Sequence, residues 1–276
     1  MSLGDLAAQI GRKAGQEDSS DIVDIIEFVE SDWGLGLDLY PVQRVILKAH
    51  YGIALDDNPY DFPLDVPVPT NHPCYDEDLI DEDGFYKFRI FVTDWRRENP
   101  QAFTEAGYLA WLHSEGRCNV KEVVPGQQRR EMVLSIGRRS GKTLITSCIV
   151  AYETYKLLKK YNAQKYYGTS QSNIIQLISV ATDKDQSKLL FNEAKGHFSG
   201  CDFFLPYTAN NTQSFYTFQS AFDIDRYGAY KDNQKAPFSF NVTFKSCVAK
   251  GLRGGNNILV ALDEVAAAGG VGRHHD

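Results

Sequence analysis

From residue 130 to residue 160 an apolar run passes through a glycine-bracketed loop into a helical pattern, and that order constrains the fold more than any other stretch. Residues 130–136 (REMVLSI) have the length and apolar content of a buried parallel strand. Behind the loop, Ile145, Cys148, Ile149, Tyr152, Tyr155 and Leu158 recur at helical spacing, with Lys156, Lys159 and Lys160 in the last turns, where cations oppose the helix dipole. The loop between them closes on Gly141, Lys142 and Thr143. Such a loop can wrap backbone N–H groups around phosphates, with Lys142 reaching the outer phosphates and the Thr143 hydroxyl placed for Mg²⁺. The generic pattern wants a glycine five residues ahead of Gly141, where this chain has Ile136, so the loop needs a second, independent motif beside it.

That motif stands near the end of the chain. Residues 257–262 (NILVAL) have strand character and run straight into Asp263 and Glu264. Open parallel sheets place their ligands outside the carboxyl ends of the strands, so an acidic pair there suits Mg²⁺ coordination by Asp263 and activation of a water by Glu264. A third apolar run at residues 174–181 (IIQLISVA) is followed by Thr182 and Asp183 as caps for a helix over 184–197, a second βα unit. Residues 238–248 alternate partly and read as a strand, whereas 201–235 show no clear periodicity.

Ahead of the loop, Ile22, Ile25, Ile26 and Val29 share one helical face over residues 21–30, with Ser19 or Ser20 as N-cap. Pro41 opens a second helix carrying Val45, Ile46, Leu47 and Ala49. A strand over 87–93 and a helix over 103–113 complete the reading.

Charge needs its distribution to be read. The net charge is −7, which argues against a polyanionic partner. Residues 56–83, however, carry ten carboxylates, five prolines and no Lys or Arg, and setting those ten aside leaves 26 acidic against 29 basic residues. The segment is expected to be a surface excursion, since proline at that density breaks helix and central strand alike. Five scattered cysteines give neither a disulfide framework nor zinc spacing, and no segment has the character of a secretion signal or membrane span. A soluble protein of a reducing cytoplasm is the expectation. His274, His275 and Asp276 read as a chain end rather than a metal site, and Tyr161, Tyr166 and Tyr167 as packing residues that also have the chemistry to stack on bases.

Taken together these elements resemble the large terminase subunit, the ATPase that packages DNA into tailed-bacteriophage heads. Gly137, Arg138, Arg139, Ser140, Gly141, Lys142 and Thr143 are similar to that family's variant phosphate loop, in which an Arg follows a small residue and the upstream glycine is often absent. Tyr40, Pro41, Val42 and Gln43 resemble its adenine-recognition element, with Gln43 reading the base, and residues 180–187 (VATDKDQS) its segment between the nucleotide motifs. Residues 246–254 (SCVAKGLRG) resemble its Leu-Arg-Gly element, which makes Arg253 an arginine finger acting on a neighbouring subunit.

The resemblance implies a P-loop NTPase of the ASCE type, a three-layer α/β/α fold with a mostly parallel sheet. Residues 1–38 would be an N-terminal helical segment and 39–276 the ATPase domain. It implies ATP and Mg²⁺ as cofactors, Lys142, Arg138, Arg253 and Glu264 as catalytic residues, and Thr143 and Asp263 at the metal. Double-stranded DNA, a homo-oligomeric ring, a portal and a small terminase subunit are the implied partners, in the host cytoplasm during phage assembly and with no membrane. The chain stops twelve residues past Glu264, so the coupling motif and nuclease domain of that family are expected to be absent. A helicase-like ATPase, a nucleotide switch without turnover and an inert fragment are the alternatives.

Overall fold

A computed structural model describes residues 22–56, 104–137, 141–181, 184–228, 237–246 and 255–263, without the side chains of 41, 111, 184–186, 246 and 263. The expected strand over 87–93, the Thr182–Asp183 cap and all but Asp56 of the acidic excursion lie outside these residues. The chain forms two compact units, one of Met1–Leu37 with Ile136–Asp276, the other of Asp38–Ser135.

In the first unit, helix α1 (Ile25–Glu30) buries Ile25, Ile26, Phe28 and Val29. Its N-cap is Asp24, not the expected serine: Asp24 Oδ1 accepts the N–H groups of Ile26 at 2.8 Å and Glu27 at 3.0 Å. The apolar stripe starts at Ile25, so the carboxylate directly ahead of it meets the orphan amides first.

The second unit holds helices α2 (Pro41–Tyr51) and α3 (Glu105–Ser114), both near their expected bounds. Glu105, 1% exposed, takes the Lys48 ammonium at 2.6 Å and the Asp56 N–H at 2.8 Å on one carboxylate oxygen.

Returning to the first unit, helix α4 (Lys142–Lys159) is followed by a single helical turn, α5 (Ala163–Tyr166). Strand β1 (Ile175–Ala181) and helix α6 (Lys184–Gly200) form the expected βα unit, the helix continuing beyond residue 197. A 3₁₀ turn (Asp202–Tyr207), strands β2 (Thr208–Asn211) and β3 (Phe215–Phe218), and helix α7 (Ala221–Tyr227) occupy the stretch that shows no periodicity in sequence. Strands β4 (Phe240–Ser246) and β5 (Asn256–Asp263) match the last two apolar runs.

The fold is α/β. Its five strands run in the order β2-β3-β4-β1-β5, with β4, β1 and β5 mutually parallel and the β2-β3-β4 pairings antiparallel. The described sheet is mixed: the short connection from Asn211 to Phe215 can make only an antiparallel pair, whereas α6 and the segments beyond it provide the long crossovers parallel pairs require. Strand β1 is buried along almost its whole length, as the continuous apolar run implies. Helix α6 packs on β1 and β4 and against α4.

Aromatic side chains fill the core beside α4. Phe28 stacks on Tyr155 with centroids 4.7 Å apart, and Phe198, Phe204, Tyr216 and Phe218 interlock at 4.9–6.0 Å. Two tyrosines of α4 also hold the chain entering α1: the Tyr152 hydroxyl donates to the Val23 carbonyl at 2.8 Å, and the Val23 N–H donates to the Tyr155 hydroxyl at 3.4 Å.

Residues 130–136 depart from expectation. They form no strand, and Val133 is 93% exposed. An apolar run becomes a strand only where an open sheet edge accepts its N–H and C=O groups, and among the described residues none pairs with this segment.

Candidate phosphate-binding site

The site begins where α4 begins. Gly141 is the N-cap residue and adopts the left-handed conformation with φ 76°, which an L side chain reaches only at a cost of about 1–2 kcal/mol. No side chain caps the helix at Gly141. An 18-residue helix thus presents its first backbone N–H groups, and the positive end of its dipole, beside the loop.

Lys142 and Thr143 are the first two residues of that helix. The Lys142 ammonium turns back and donates to the Ile136 carbonyl at 3.1 Å. A cation is thereby held across the loop by a neutral acceptor that makes no ion pair with it, so among the described residues an anion entering the loop competes with a carbonyl rather than a carboxylate. Gly137 is exposed, and a Cβ placed there would meet open space.

Helix α4 is anchored behind the loop. Thr146 Oγ1 donates to the Lys142 carbonyl at 2.9 Å and Ser147 Oγ to the Leu144 carbonyl at 2.8 Å. The buried Ser147 hydroxyl also meets His197 Nε2 of α6 at 2.9 Å, and burial pushes the His197 imidazole below its usual range. Cys148 is no nucleophile: burial, reinforced by the Glu193 carboxylate, pushes its thiol up to about 12.

The backbone of Asp263 closes the carboxyl end of β5, in register with Ala181 at the carboxyl end of β1, on the parallel part of the sheet. Asp263 stands at the strand terminus that the sequence places it at. Its side chain, and all of Arg138, Arg139, Ser140, Arg253 and Glu264, lie outside the described residues. Gln43 belongs to the other unit, where it is 5% exposed and its Oε1 accepts the Tyr40 N–H at 2.9 Å, closing the first turn of α2.

Of the anticipated residues, the structure brings together Gly137, Gly141, Lys142 and Thr143. The Ile136 carbonyl is the participant that sequence reading misses, because a backbone acceptor leaves no mark in residue identity. Among the described residues no group of three or more His, Cys, Asp or Glu side chains gathers around a metal position, and no helix is long and apolar enough to cross a membrane.

The family model for the N-terminal P-loop domain of the uncharacterized protein MJ0330 matches residues 118–269, which includes both the loop ending at Thr143 and the acidic pair at Asp263 and Glu264. No curated protein and no solved structure gives a match.

Proposed function

We propose that this chain, which belongs to the family of the MJ0330 N-terminal P-loop domain, is an ATP-hydrolysing motor that translocates double-stranded DNA, the ATPase portion of a phage terminase large subunit. The observation that carries the nucleotide part is the Lys142–Ile136 contact at the uncapped start of α4. The packaging part rests on the resemblance of residues 137–143, 246–254 and 263–264 to the terminase motifs.

The residues present fit ATP with Mg²⁺. The α4 amides and the Lys142 ammonium suit the phosphates, and the Thr143 hydroxyl with the Asp263 carboxylate gives the hard oxygen donors that Mg²⁺ selects. When bound, the ion neutralises charge on the phosphate oxygens. Lys142 leaves Ile136 to meet the outer phosphates, while Arg138 adds positive charge from the loop. Arg139 and Ser140 complete the loop's wrap. Glu264 takes a proton from the attacking water, and Arg253 of a neighbouring subunit meets the negative charge that develops as the γ-phosphoryl group departs. Gln43 reads the adenine. A finger acting in trans requires a ring of copies, docked in the packaging assembly on a portal and served by a small subunit.

The motor reading is tested by ATP-driven displacement of a third strand from triplex DNA. Displacement that requires hydrolysis supports translocation along an intact duplex; separation of the duplex itself would assign the helicase-like alternative. For the finger, mixing Arg253→Ala with Glu264→Gln chains should restore hydrolysis that neither has alone, and no rescue under assembling conditions contradicts action in trans.

A further inference from the structure

The far end of α4 carries a second surface that the nucleotide reading does not use. The helix is about 27 Å long at 1.5 Å per residue, so this surface lies well away from the phosphate loop. Tyr166 is 63% exposed and Tyr167 47% exposed, their rings edge to face at 5.0 Å, and the Lys160 ammonium sits 4.4 Å from the Tyr166 centroid. The chain carries this group directly into a second one. The Tyr161 carbonyl accepts the Phe222 N–H of α7 at 3.0 Å, and the two rings meet edge to face at 5.9 Å. On the next turn of α7 the Arg226 guanidinium lies 5.8 Å from the Phe222 ring and 5.5 Å from that of Tyr227, itself 51% exposed.

Charge points the same way. In a chain of net charge −7, the end of α4 carries Lys159 and Lys160, α5 carries Lys165 and α7 carries Arg226. Among the described carboxylates here, Glu153 pairs with Lys156 at 2.8 Å, Asp223 is buried in the α7 cap, and Asp225 accepts the Tyr161 hydroxyl at 3.0 Å while keeping its charge. Cations alone would suit any polyanion. Cations set beside exposed aromatic rings suit a ligand that alternates flat apolar faces with phosphates, and unpaired nucleotides present both. A duplex hides its base faces in the stack and offers such rings nothing.

We infer that the surface formed by the end of α4, α5 and α7 binds single-stranded nucleic acid, with Tyr166 and Tyr227 as stacking platforms and Lys160 and Arg226 at the phosphates. The inference goes beyond the nucleotide site and does not depend on hydrolysis.

The test is fluorescence anisotropy on the full chain without nucleotide, using a labelled oligo-dT of about 15 nucleotides and a duplex of equal length. Oligo-dT binding should depend on Tyr166, whereas duplex binding, which the proposed motor would make elsewhere, should not. Tyr166→Ala should weaken oligo-dT binding about tenfold, while Tyr166→Phe, which keeps the ring, should not. Replacing Lys160 and Arg226 by Ala should each lower the slope of log K against log salt by about 0.7. Tyr166 and Arg226 are exposed and Lys160 half-buried, so the variants' melting temperatures serve as the folding control. Failure to bind oligo-dT, or oligo-dT binding indifferent to Tyr166→Ala, would each overturn the inference, as would duplex binding weakened by Tyr166→Ala to the same extent or binding to anionic lipid vesicles but not to oligo-dT. Because ATP is absent, none of these outcomes bears on the phosphate loop.

Discussion

The Lys142 ammonium is bonded to the Ile136 carbonyl, 3.1 Å away and six residues earlier in the chain, so the loop closes on its own lysine. A polar contact at a partly exposed position contributes little to folding, of order 1 kcal/mol or less. Its worth is in where it holds the charge. Lys142→Met, which keeps the stem and loses the donor, should change the urea midpoint of the free chain only slightly. Stabilisation by ATP with Mg²⁺, about 2.7 kcal/mol for the native loop at a hundredfold excess over Kd, should vanish in the same variant. Thermal melts with and without ligand check both.

Gly141 makes a companion prediction. At φ 76° an alanine is strained by about 1–2 kcal/mol whatever space surrounds it. Gly141→Ala should lower the melting temperature and weaken nucleotide binding together, since the start of α4 is set by that residue. A variant that melts like the parent and binds ATP equally well would contradict the account of the loop.

His197 gives a pH dependence. Burial lowers its folded pKa below the ordinary 6.5, so between those two values the unfolded chain binds more protons than the folded one. Stability contributed by neutral His197 is therefore lost as pH falls through that window and fully present above about 6.5. His197→Gln, whose amide can still meet Ser147, should shrink the difference between urea midpoints at about pH 5 and about pH 7.5.

Glu105 is a buried carboxylate of the 38–135 unit that meets both the Lys48 ammonium and the Asp56 N–H. Removing it leaves the Lys48 ammonium, 6% exposed, without the carboxylate that meets it at 2.6 Å, a loss of about 3 kcal/mol. Glu105→Ala should show this in chemical denaturation. Joining Lys48→Met to Glu105→Leu should recover most of it, because two apolar side chains need no partner.

The sequence carries some of these elements plainly and others hardly at all. β1 is legible because a strand buried on both faces must be apolar throughout, β5 because its apolar run is unbroken although Val260 and Leu262 are exposed at the described sheet edge, and α4 because its apolar residues recur at helical spacing. The same rule misleads at residues 130–136, where apolar content is present but no described edge receives the backbone. Between residues 201 and 228 the strands have four residues each, too short for alternation to register, and the core they complete is aromatic, held by Phe204, Tyr216 and Phe218 rather than by a repeating stripe. One signal was there to find: Ser220 and Asp223 cap α7 reciprocally, at the serine-to-acid spacing of a capping box. At the site, Gly141, Lys142 and Thr143 are legible because glycine, a cation and a hydroxyl each do something there that few other residues can. The role of Ile136 is not, since any residue would supply its carbonyl.

The measurement that tests the central claim most directly pairs ATP binding with ATP turnover in Glu264→Gln. The native chain with Mg²⁺ should bind and hydrolyse ATP. Glu264→Gln should bind it with similar affinity and release no phosphate, since the amide keeps the shape of the side chain and loses the base. Phosphate release by Glu264→Gln at the native rate, or a native chain that neither binds nor hydrolyses ATP, would contradict the account.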